Sequence, residues 1–353
     1  MDNLAHALVG AALGRAVADR HVARAGLIGI VAANAPDWTE LFIGLPGSRA
    51  DYLTLHRGIT HSLLGALVEI AGLTLIIGGA WRLARAWLER RGRAFAAPPP
   101  PWRWLAICIG VTVASHLYMD WQGSYGWRPF LPWANRWFYL DWVAIVDPFF
   151  WLIPLIALAW GTERHWRPLL GVLIVGGVFS YVILRGRDIV AGWVLIVYVL
   201  ASVIGVVGWI RYWFGPVARQ RIAIYAIVLL AVYAGAQGLV AARREAEIRE
   251  IAIKRFGAKA QSAALTEIGH PFTWEAVYAG PDTVAGDDWS VPRNLRARAV
   301  QRALETPEGR AMAQFARFLA AEVDTAEKTV YLRDVRYSRG GREGWGVVRV
   351  RME

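Results

Sequence analysis

The sequence has 353 residues, 56% of them hydrophobic, and a positive mean hydropathy of +0.33. This composition excludes an ordinary soluble domain and is typical of a membrane protein with a soluble appendage. The net charge of +11 would suit a nucleic-acid partner, but the arginines cluster beside apolar runs, where they act as topology signals. No direct nucleic-acid binding is therefore expected. The single cysteine, Cys108, excludes a disulfide framework or a cysteine metal site within one chain.

The chain is predicted to begin with two short apolar helices, at Leu4–Val17 and Ala25–Ala33. The residues before them lack the basic segment and cleavage site of a secretory signal, so the amino terminus is expected to be retained. Both helices are shorter than the roughly 20 residues that span hydrocarbon. They predict either a re-entrant hairpin or helices shielded by their neighbours.

Six longer apolar segments predict membrane-spanning helices with modest tilt. Tryptophans flank many of them, as expected of an amphipathic indole at a membrane interface. The segments cover about 63–81, 104–119, 142–160, 168–184, 189–210 and 222–241. Residues 1–241 are therefore predicted to form an all-α polytopic membrane helix bundle.

The orientation of this bundle follows from an arginine-rich loop, Arg82–Arg103, between the first two long segments. The positive-inside rule places such a loop in the cytoplasm. Alternating the helices from that loop places the end of the last segment on the outer face. The basic residues that follow it do not fit this bias, and one miscounted helix would move the tail across the membrane.

After the last span the composition becomes that of a soluble protein. Residues 242–256 predict a charged helical linker, and residues 257–353 predict a small α+β domain. The predicted strands are Phe272–Ala279, Thr329–Ser338 and Trp345–Met352, with helices at 293–304 and 308–322. No phosphate loop, metal-spaced histidine pair or nucleophile motif occurs there, so binding of a protein partner is the role considered for this domain.

Metal-ligating side chains recur at one end of the predicted helices. The alternation of helices places all of them at the outer end, and polar groups at a bilayer boundary are costly and usually functional. Two of them belong to the segment His56–Ser62, directly before the first long span. The full set is His6, Asp37, His56, His61, His116 and Asp120, with Asp147 at the same level.

Each of these residues also has a structural explanation when taken alone. His6, on an Ala-rich helix, resembles a core histidine whose hydrogen bonds are satisfied. Asp37 could cap or turn the chain, and Asp147, directly before a proline, fits a helix N-cap. The convergence of the whole set at one level is what favours a site.

The other candidate residues also have both a functional and a structural interpretation. His116 and Asp120 have the i, i+4 spacing that puts an imidazole and a carboxylate on one helix face, as capture of one cation requires. A structural His–Asp hydrogen bond has the same spacing. Thr60 and Ser62 could cap a helix, and Arg57 could extend its charge to the interface.

Together the nitrogen and oxygen donors match a divalent metal site, with zinc as the preferred ion and manganese or iron as alternatives. Six or more ligands suggest one or two ions. A two-ion site activates water and stabilises an oxyanion, which is the chemistry of phosphate ester hydrolysis. Arg57 is the predicted anion-binding catalytic residue, and His56 and Asp147 are predicted to complete the ligand shell or orient ligands.

The same motifs resemble the YdjM/YbcI family. They are Met1–His6 (MDNLAH), Ala35–Asp37 (APD), His56–Ser62 (HRGITHS), His116–Asp120 (HLYMD) and Asp141–Pro148 (DWVAIVDP), and the likeness extends to about residue 240. The resemblance implies a bacterial inner-membrane-associated, metal-dependent hydrolase. Some members are labelled LexA-binding, which implies a cytoplasmic partner and conflicts with an outward-facing tail.

The order of the motifs is also distantly similar to that of zinc-dependent phospholipase C and zinc nucleases, which implies phosphodiester chemistry. Two departures stand out. Family members often have a second acid two residues after Pro-Asp, where this chain has Thr39 and then Glu40. The zinc phospholipases use a processed amino terminus as a ligand, whereas no cleavage before Asp2 is predicted here.

The sequence thus predicts a membrane-bound metal-dependent hydrolase for an amphiphilic, lipid-like phosphoester, with its site and its C-terminal domain on the outer face. The alternative is a non-enzymatic membrane protein with a structural metal or His–Asp cluster and a partner-binding C-terminal domain. Transport is a third hypothesis. Against it, the spans after residue 150 contain almost no ionisable residues, and the candidate residues lie at one end instead of the midplane.

Overall fold

The computed structural model describes residues 1–39, 48–94, 97–162 and 166–352. Its first part is helical, as predicted, and its last part contains two antiparallel sheets. Short 3-10 segments lie at Ala35–Thr39, Ile59–His61, Arg187–Ile189 and Pro216–Ala218. The helices of the first part are α1 (Asn3–Ala18), α2 (Ala25–Asn34), α3 (Arg49–Leu55), α4 (Leu63–Arg90), α5 (Trp102–Gln122), α6 (Pro148–Trp160), α7 (Trp166–Arg185), α8 (Gly192–Ile210) and α9 (Arg219–Phe256).

Three helices among the described residues are long and apolar enough to cross a membrane, namely α4, α8 and the segment Pro216–Phe256 that contains α9. Two further apolar helices, Pro148–Trp160 and Leu170–Arg185, are shorter. Each predicted span overlaps a helix. The predicted span 142–160 starts too early, because Asp147 caps the helix and Pro148 occupies its first position, where the fixed φ of proline suits a helix start.

The two short amino-terminal helices form as predicted and pack closely against each other. Gly10 and Gly14 of α1 face Gly29 and Ala25 of α2, and a Cβ at Gly10 would lie 2.5 Å from the Gly29 carbonyl oxygen. Small residues four apart let two helix backbones approach within membranes. The close contact fixes α1 and the end of α2 relative to each other, and both carry predicted site residues.

The C-terminal region contains two sheets with the strand orders β1-β2-β3-β4 and β5-β6-β7. The register pairs Gln261 with Ala279 in the first sheet and Leu319 with Asp334 in the second. The elements are β1 (Gln261–Thr266), β2 (Trp274–Ala279), β3 (Thr283–Ala285), β4 (Ser290–Pro292), α10 (Arg298–Leu304), α11 (Pro307–Phe315), β5 (Leu319–Asp324), β6 (Thr329–Asp334) and β7 (Val347–Arg351).

The predicted helix 308–322 is wrong in its second half, where β5 forms. Phe318 and Ala320 are buried in one hydrophobic core, whereas Leu319 and Ala321 are buried in another. A strand that buries both faces shows no polar alternation, so its apolar run cannot be told from a helix by periodicity. Ala316, with extended φ and ψ angles, ends the helix.

The residues predicted as a span (222–241) and as a linker (242–256) form one continuous helix, α9. Its first half packs against α1 and α6, and its second half packs against β1 and β2. Ile248 and Ala252 of the charged half are fully buried beside Trp274 and Tyr278 of β2. The apolar side of α9 therefore continues from the bundle into the C-terminal region without a break.

The C-terminal region is held against the loop between α5 and α6. Arg317 forms an ion pair with Asp141 at 2.7 Å, and Arg336 donates to the Ser124 carbonyl at 2.6 Å. The Trp274 indole donates to the Asp141 carbonyl at 2.7 Å. This loop directly follows the helix that carries two predicted metal ligands, so these contacts place the C-terminal region close to the site.

Candidate metal centre

Four chain segments bring five of the predicted ligands together inside the bundle. The segments are the start of α1, the 3-10 turn after α2, the 3-10 turn before α4 and the last part of α5. All five residues are buried, and none is more than 8% exposed. The residues are His6, Asp37, His61, His116 and Asp120.

Local sequence signals position these segments. The Asp2 carboxylate caps α1 by accepting from the amides of Leu4 and Ala5, so α1 starts one turn before His6. Ser62 caps α4 by accepting from the Gly65 amide at 3.0 Å. A Cβ at Gly65 would overlap the Ile59 carbonyl, so glycine lets the 3-10 turn that carries His61 pack against α4.

Five distances join possible ligand atoms of four of these residues. His61 Nε2 lies 3.0 Å from Asp37 Oδ1 and 3.1 Å from His116 Nε2. His116 Nε2 lies 3.6 Å from Asp37 Oδ1, and both histidine Nε2 atoms lie 3.5 Å from Asp120 Oδ2. Ligand atoms about 2.0–2.1 Å from a tetrahedral zinc ion are about 3.3 Å apart. The observed distances are centred on that spacing.

The hydrogen bonds of the two central histidines direct their lone pairs at one point. His116 Nδ1 lies 2.7 Å from the Ala33 carbonyl oxygen, so it donates and leaves the Nε2 lone pair free to act as a ligand. His61 Nδ1 lies 3.2 Å from Thr60 Oγ1, an acceptor that favours the same tautomer. In these tautomers two lone pairs face each other at 3.1 Å, an arrangement that a shared proton or a metal cation would stabilise.

The His61 imidazole and the Asp37 carboxyl lie outside the predicted spans, and their pKa values are shifted in the direction that metal ligation requires. Burial lowers the pKa of His61 to about 4, against the opposing effect of the Asp37 carboxylate, whose Oδ1 lies 3.0 Å from His61 Nε2. The ring is therefore neutral at pH 7. Burial alone would raise the pKa of Asp37, but its interactions with His61 and His116 hold that pKa below its usual value.

A second group of potential ligands shares residues with the first. His6, His116 and Asp120 offer ligand atoms within 4.8 Å of one another. The His6 ring stacks on His116 with centroids 3.9 Å apart, and His6 Nε2 lies 3.3 Å from Asp120 Oδ1. Within the described part of the chain, neither His6 nitrogen has a hydrogen-bond partner. The satisfied core histidine considered as an alternative is thus not what the structure has.

Two cations hold Asp120 in place. The Met1 ammonium and Arg57 Nη2 each lie 2.7 Å from Asp120 Oδ1. Arg57 Nη1 also donates to the carbonyls of Asp120 and Gly126, at 3.1 and 2.8 Å, and the guanidinium lies 4.5 Å from the Tyr125 ring centre. Arg57 is only 4% exposed, so its contacts give it a positioning role beside the predicted role in anion binding.

His56 and Asp147 lie outside both potential ligand groups in the described part of the chain. The His56 ring packs against Tyr52 and Tyr125, with centroids 4.9 and 4.8 Å apart. Asp147 is the N-cap of α6, and its carboxylate accepts from the Phe149 amide at 2.9 Å. The structural alternative that was left open for Asp147 is therefore the arrangement observed.

Sequence reasoning missed three participants in this region. The Ala33 carbonyl and the Met1 ammonium are backbone groups, which no side-chain motif reveals. Glu69 of α4 interacts electrostatically with His116 and Asp37, and its Oε2 has no hydrogen-bond partner among the described residues. A lone acid inside an apolar segment was the available signal. Glu40, discussed as a displaced second acid, lies outside the described residues.

Comparison with known proteins identifies one matching family. A family model described as YdjM inner membrane protein matches residues 1–242, which include every ligand named above. The chain therefore belongs to the YdjM inner membrane protein family. No curated protein and no solved structure matches the chain.

Proposed function

We propose that this member of the YdjM inner membrane protein family is a membrane-bound metal-dependent hydrolase acting on a phosphoester or lipid-like substrate. One observation carries the proposal. Four buried ligand atoms, from Asp37, His61, His116 and Asp120, lie 3.0 to 3.6 Å from one another in the five pairs given above. Such a set of imidazoles and carboxylates is the donor set of zinc sites.

The residues fit a divalent ion in two further respects. The orphaned nitrogens of buried His6 would gain a partner, since a buried polar group without one is costly. The His116–Ala33 hydrogen bond supplies the outer support that ligating histidines usually have. Zinc is the ion best suited to this set, with manganese or iron as alternatives. Such an ion, when bound, lowers the pKa of water and polarises a phosphoryl oxygen.

The protein's own groups would hold the ligands and move a proton. Arg57 and the Met1 ammonium keep Asp120 ionised and oriented. Glu69 Oε2, which lacks a partner in the described part of the chain, is the proton acceptor in this proposal. General bases of this kind contribute roughly 10²- to 10⁴-fold in rate. Burial of the five histidines and aspartates excludes bulk water and strengthens these electrostatic interactions.

The position of the centre suggests an amphiphilic substrate. His61 lies directly before α4, one of the helices that could cross a membrane, so a lipid head group could reach the centre from the bilayer surface. We further propose a multi-pass topology with the centre and the C-terminal region on the outer face. The contact of Arg336 with the Ser124 carbonyl supports placing the centre and the C-terminal region on the same side of the membrane.

The catalytic proposal is tested on the full chain purified in detergent. Hydrolysis of bis(p-nitrophenyl) phosphate and of phospholipid is measured before and after chelation, and again after zinc is returned. Activity that is lost with the metal and restored by zinc is expected. Glu69→Gln should lower kcat by roughly 10²-fold or more with the metal retained. Stoichiometric metal without any hydrolysis would contradict the enzymatic proposal.

The proposed orientation has its own test. The single native cysteine, Cys108, is buried, so an introduced cysteine can be labelled selectively. Arg91→Cys after α4 and Glu305→Cys in the C-terminal region are both at exposed positions. Labelling of the first from the cytoplasm and of the second from outside is expected. Protection of both from the same side would overturn the orientation.

A structural role is the second candidate, and one observation favours it. Asp120 Oδ1 already accepts from two cations, Met1 and Arg57, at 2.7 Å each. A buried ion cluster of this kind can fix helix positions without any reaction. In that case the bound metal, or the cluster alone, would stabilise the bundle, and the C-terminal region would bind a protein partner.

A further inference from the structure

A cleft of about 550 Å³ lies between the α1–α2 hairpin and the pair α6–α7. Most of its wall is apolar, and its other end is charged. Arg15, Asp19, Arg24 and Arg219 line the charged end. The apolar wall includes Leu8, Leu27, Ile30, Leu155, Val172 and Val175. The cleft therefore has one charged end and one apolar part, as an amphiphilic molecule does.

The charged end carries an excess of positive charge. Arg219 forms an ion pair with Asp19, which also interacts electrostatically with Arg15, and no ion pair of Arg24 is present among the described residues. Arg15 Nη1 donates to the Leu158 carbonyl at 3.1 Å, which holds its charge at the cleft. Arg24 is exposed. The three arginines and one aspartate therefore leave two positive charges facing one opening.

The charged end lies at the edge of the apolar helices. Arg219 is the first residue of α9, at the start of the apolar segment that could cross a membrane. Beside it, Trp160 packs against Trp213 and Phe214 with ring centroids 5.9 and 5.3 Å apart. Aromatic clusters of this kind are typical of the membrane interface. The opening is therefore at head-group level and the apolar wall at acyl-chain level.

We propose that this cleft binds an anionic phospholipid, with its phosphate at Arg15, Arg24 and Arg219 and one acyl chain along the apolar wall. Basic pockets between membrane helices recognise anionic head groups in this way. The charge and the apolar wall of the cleft both favour such a lipid. A zwitterionic lipid would not neutralise the excess positive charge, and a free anion would leave the apolar wall uncovered.

This lipid site is separate from the metal centre and does not depend on the proposed hydrolase. Arg15 and His6 are on the same helix, about 13.5 Å apart at 1.5 Å per residue. The head group of a lipid bound at Arg15 therefore lies at the opposite end of α1 from His6. Its expected effect is to join the α1–α2 hairpin to α6 and α7.

The test measures retention of phosphatidylglycerol and of phosphatidylcholine by the purified full chain, using native mass spectrometry. Preferential retention of phosphatidylglycerol is expected. Arg24→Gln should weaken its binding about fivefold, since one basic residue contributes about 1 kcal/mol to binding of an anionic lipid surface. Arg20→Gln is the matched control, because Arg20 is exposed on the same connection but does not line the cleft.

A second variant fills the apolar part. Gly171 lines the cleft, and a Cβ there would meet nothing within 4 Å, so Gly171→Leu occupies the acyl-chain position without displacing protein atoms. It should abolish lipid retention. Gly177→Leu is its control, since Gly177 is equally open on the same helix but outside this cleft.

Three results would overturn the proposal. The first is equal retention of the two lipids by the wild-type protein. The second is an equal effect of Arg20→Gln and Arg24→Gln, which would indicate surface charge alone. The third is unchanged retention in Gly171→Leu. None of these results bears on metal binding or hydrolysis, so the lipid site and the proposed function can fail independently.

Discussion

The bundle contains two clusters built around buried carboxylates, and they are satisfied in different ways. At Asp147 every strong partner is a donor from the protein. The Phe149 amide donates at 2.9 Å, and the Tyr233 hydroxyl donates at 2.7 Å. At the candidate metal centre, by contrast, imidazole nitrogens that can offer lone pairs lie around Asp37 and Asp120, and the donors Met1 and Arg57 both contact Asp120 Oδ1.

This difference separates a structural carboxylate from a ligand. A buried acceptor that receives enough donors needs nothing further, and Asp147 is such an acceptor at a helix N-terminus. Acceptors and lone pairs that converge without a donor need a cation or a proton between them. Both clusters contain buried aspartates, so the balance of donors and acceptors around each carboxylate is what distinguishes their roles.

The largest expected effect comes from removing the charge of Asp120. Asp120→Asn leaves Arg57 and the Met1 ammonium buried without their shared carboxylate, and breaking a buried ion pair in this way costs about 3–5 kcal/mol. The free energy of unfolding in detergent, measured from thermal or denaturant unfolding, should fall by that amount. Asp188→Asn is the control, because Asp188 is 88% exposed. Equal stability of the two variants would contradict the assigned role of Asp120.

Asp147→Asn should have the opposite effect and raise the free energy of unfolding at pH 7. Burial raises the pKa of Asp147 from 3.8 to about 6, despite hydrogen bonds from Tyr233 and Phe149. Between these values the folded protein binds more protons than the unfolded chain, so wild-type stability falls as the pH rises through about 6. At about 1.4 kcal/mol per pKa unit, the loss is at most about 3 kcal/mol.

The Asn side chain keeps the N-cap and cannot titrate, so the variant should lack this part of the decline between about pH 4 and pH 6. The comparison of unfolding free energies at several pH values in the two proteins isolates the contribution of one residue. An unchanged pH slope in Asp147→Asn would show that Asp147 titrates normally in the folded state.

The smallest expected effect is that of His56→Ala. The His56 ring packs on Tyr52 and Tyr125, and such ring pairs contribute about 0.5–1.5 kcal/mol. Stability should fall by about that amount and the metal content should not change. Metal analysis of the variant beside His61→Ala checks this prediction. Equal loss of metal from both would return His56 to the ligand set.

Much of the site could be predicted from the sequence because its ligands lie at helix ends. His6, Asp37, His61, His116 and Asp120 fall at one level once the helices alternate, and the i, i+4 spacing places His116 and Asp120 on one face. His56 and Asp147 share that level. The position of a residue along the bundle does not specify where its side chain points. Only the hydrogen-bond and packing partners of His56 and Asp147 distinguish them from the candidate ligands.

The fold was also predictable in large part. Its prediction failed where burial hides the sequence pattern of an element. The helices of the bundle follow from apolar length, as α1, α2 and α4 illustrate. The strand β5 was missed because both of its faces are buried, which removes the polar alternation that marks a strand. The continuity of α9 was missed because the composition changes in the middle of the helix while its buried side continues.

The central claim is that the buried histidines and aspartates form a metal site, and elemental analysis of the purified full chain tests it most directly. After exposure to zinc and removal of free metal, one or two ions per chain are predicted. His61→Ala combined with His116→Ala should retain almost none, and Asp37→Asn, which preserves side-chain volume, should retain less than wild type while remaining folded. A folded wild-type protein without stoichiometric metal, or variants that retain as much metal as wild type, would contradict the claim.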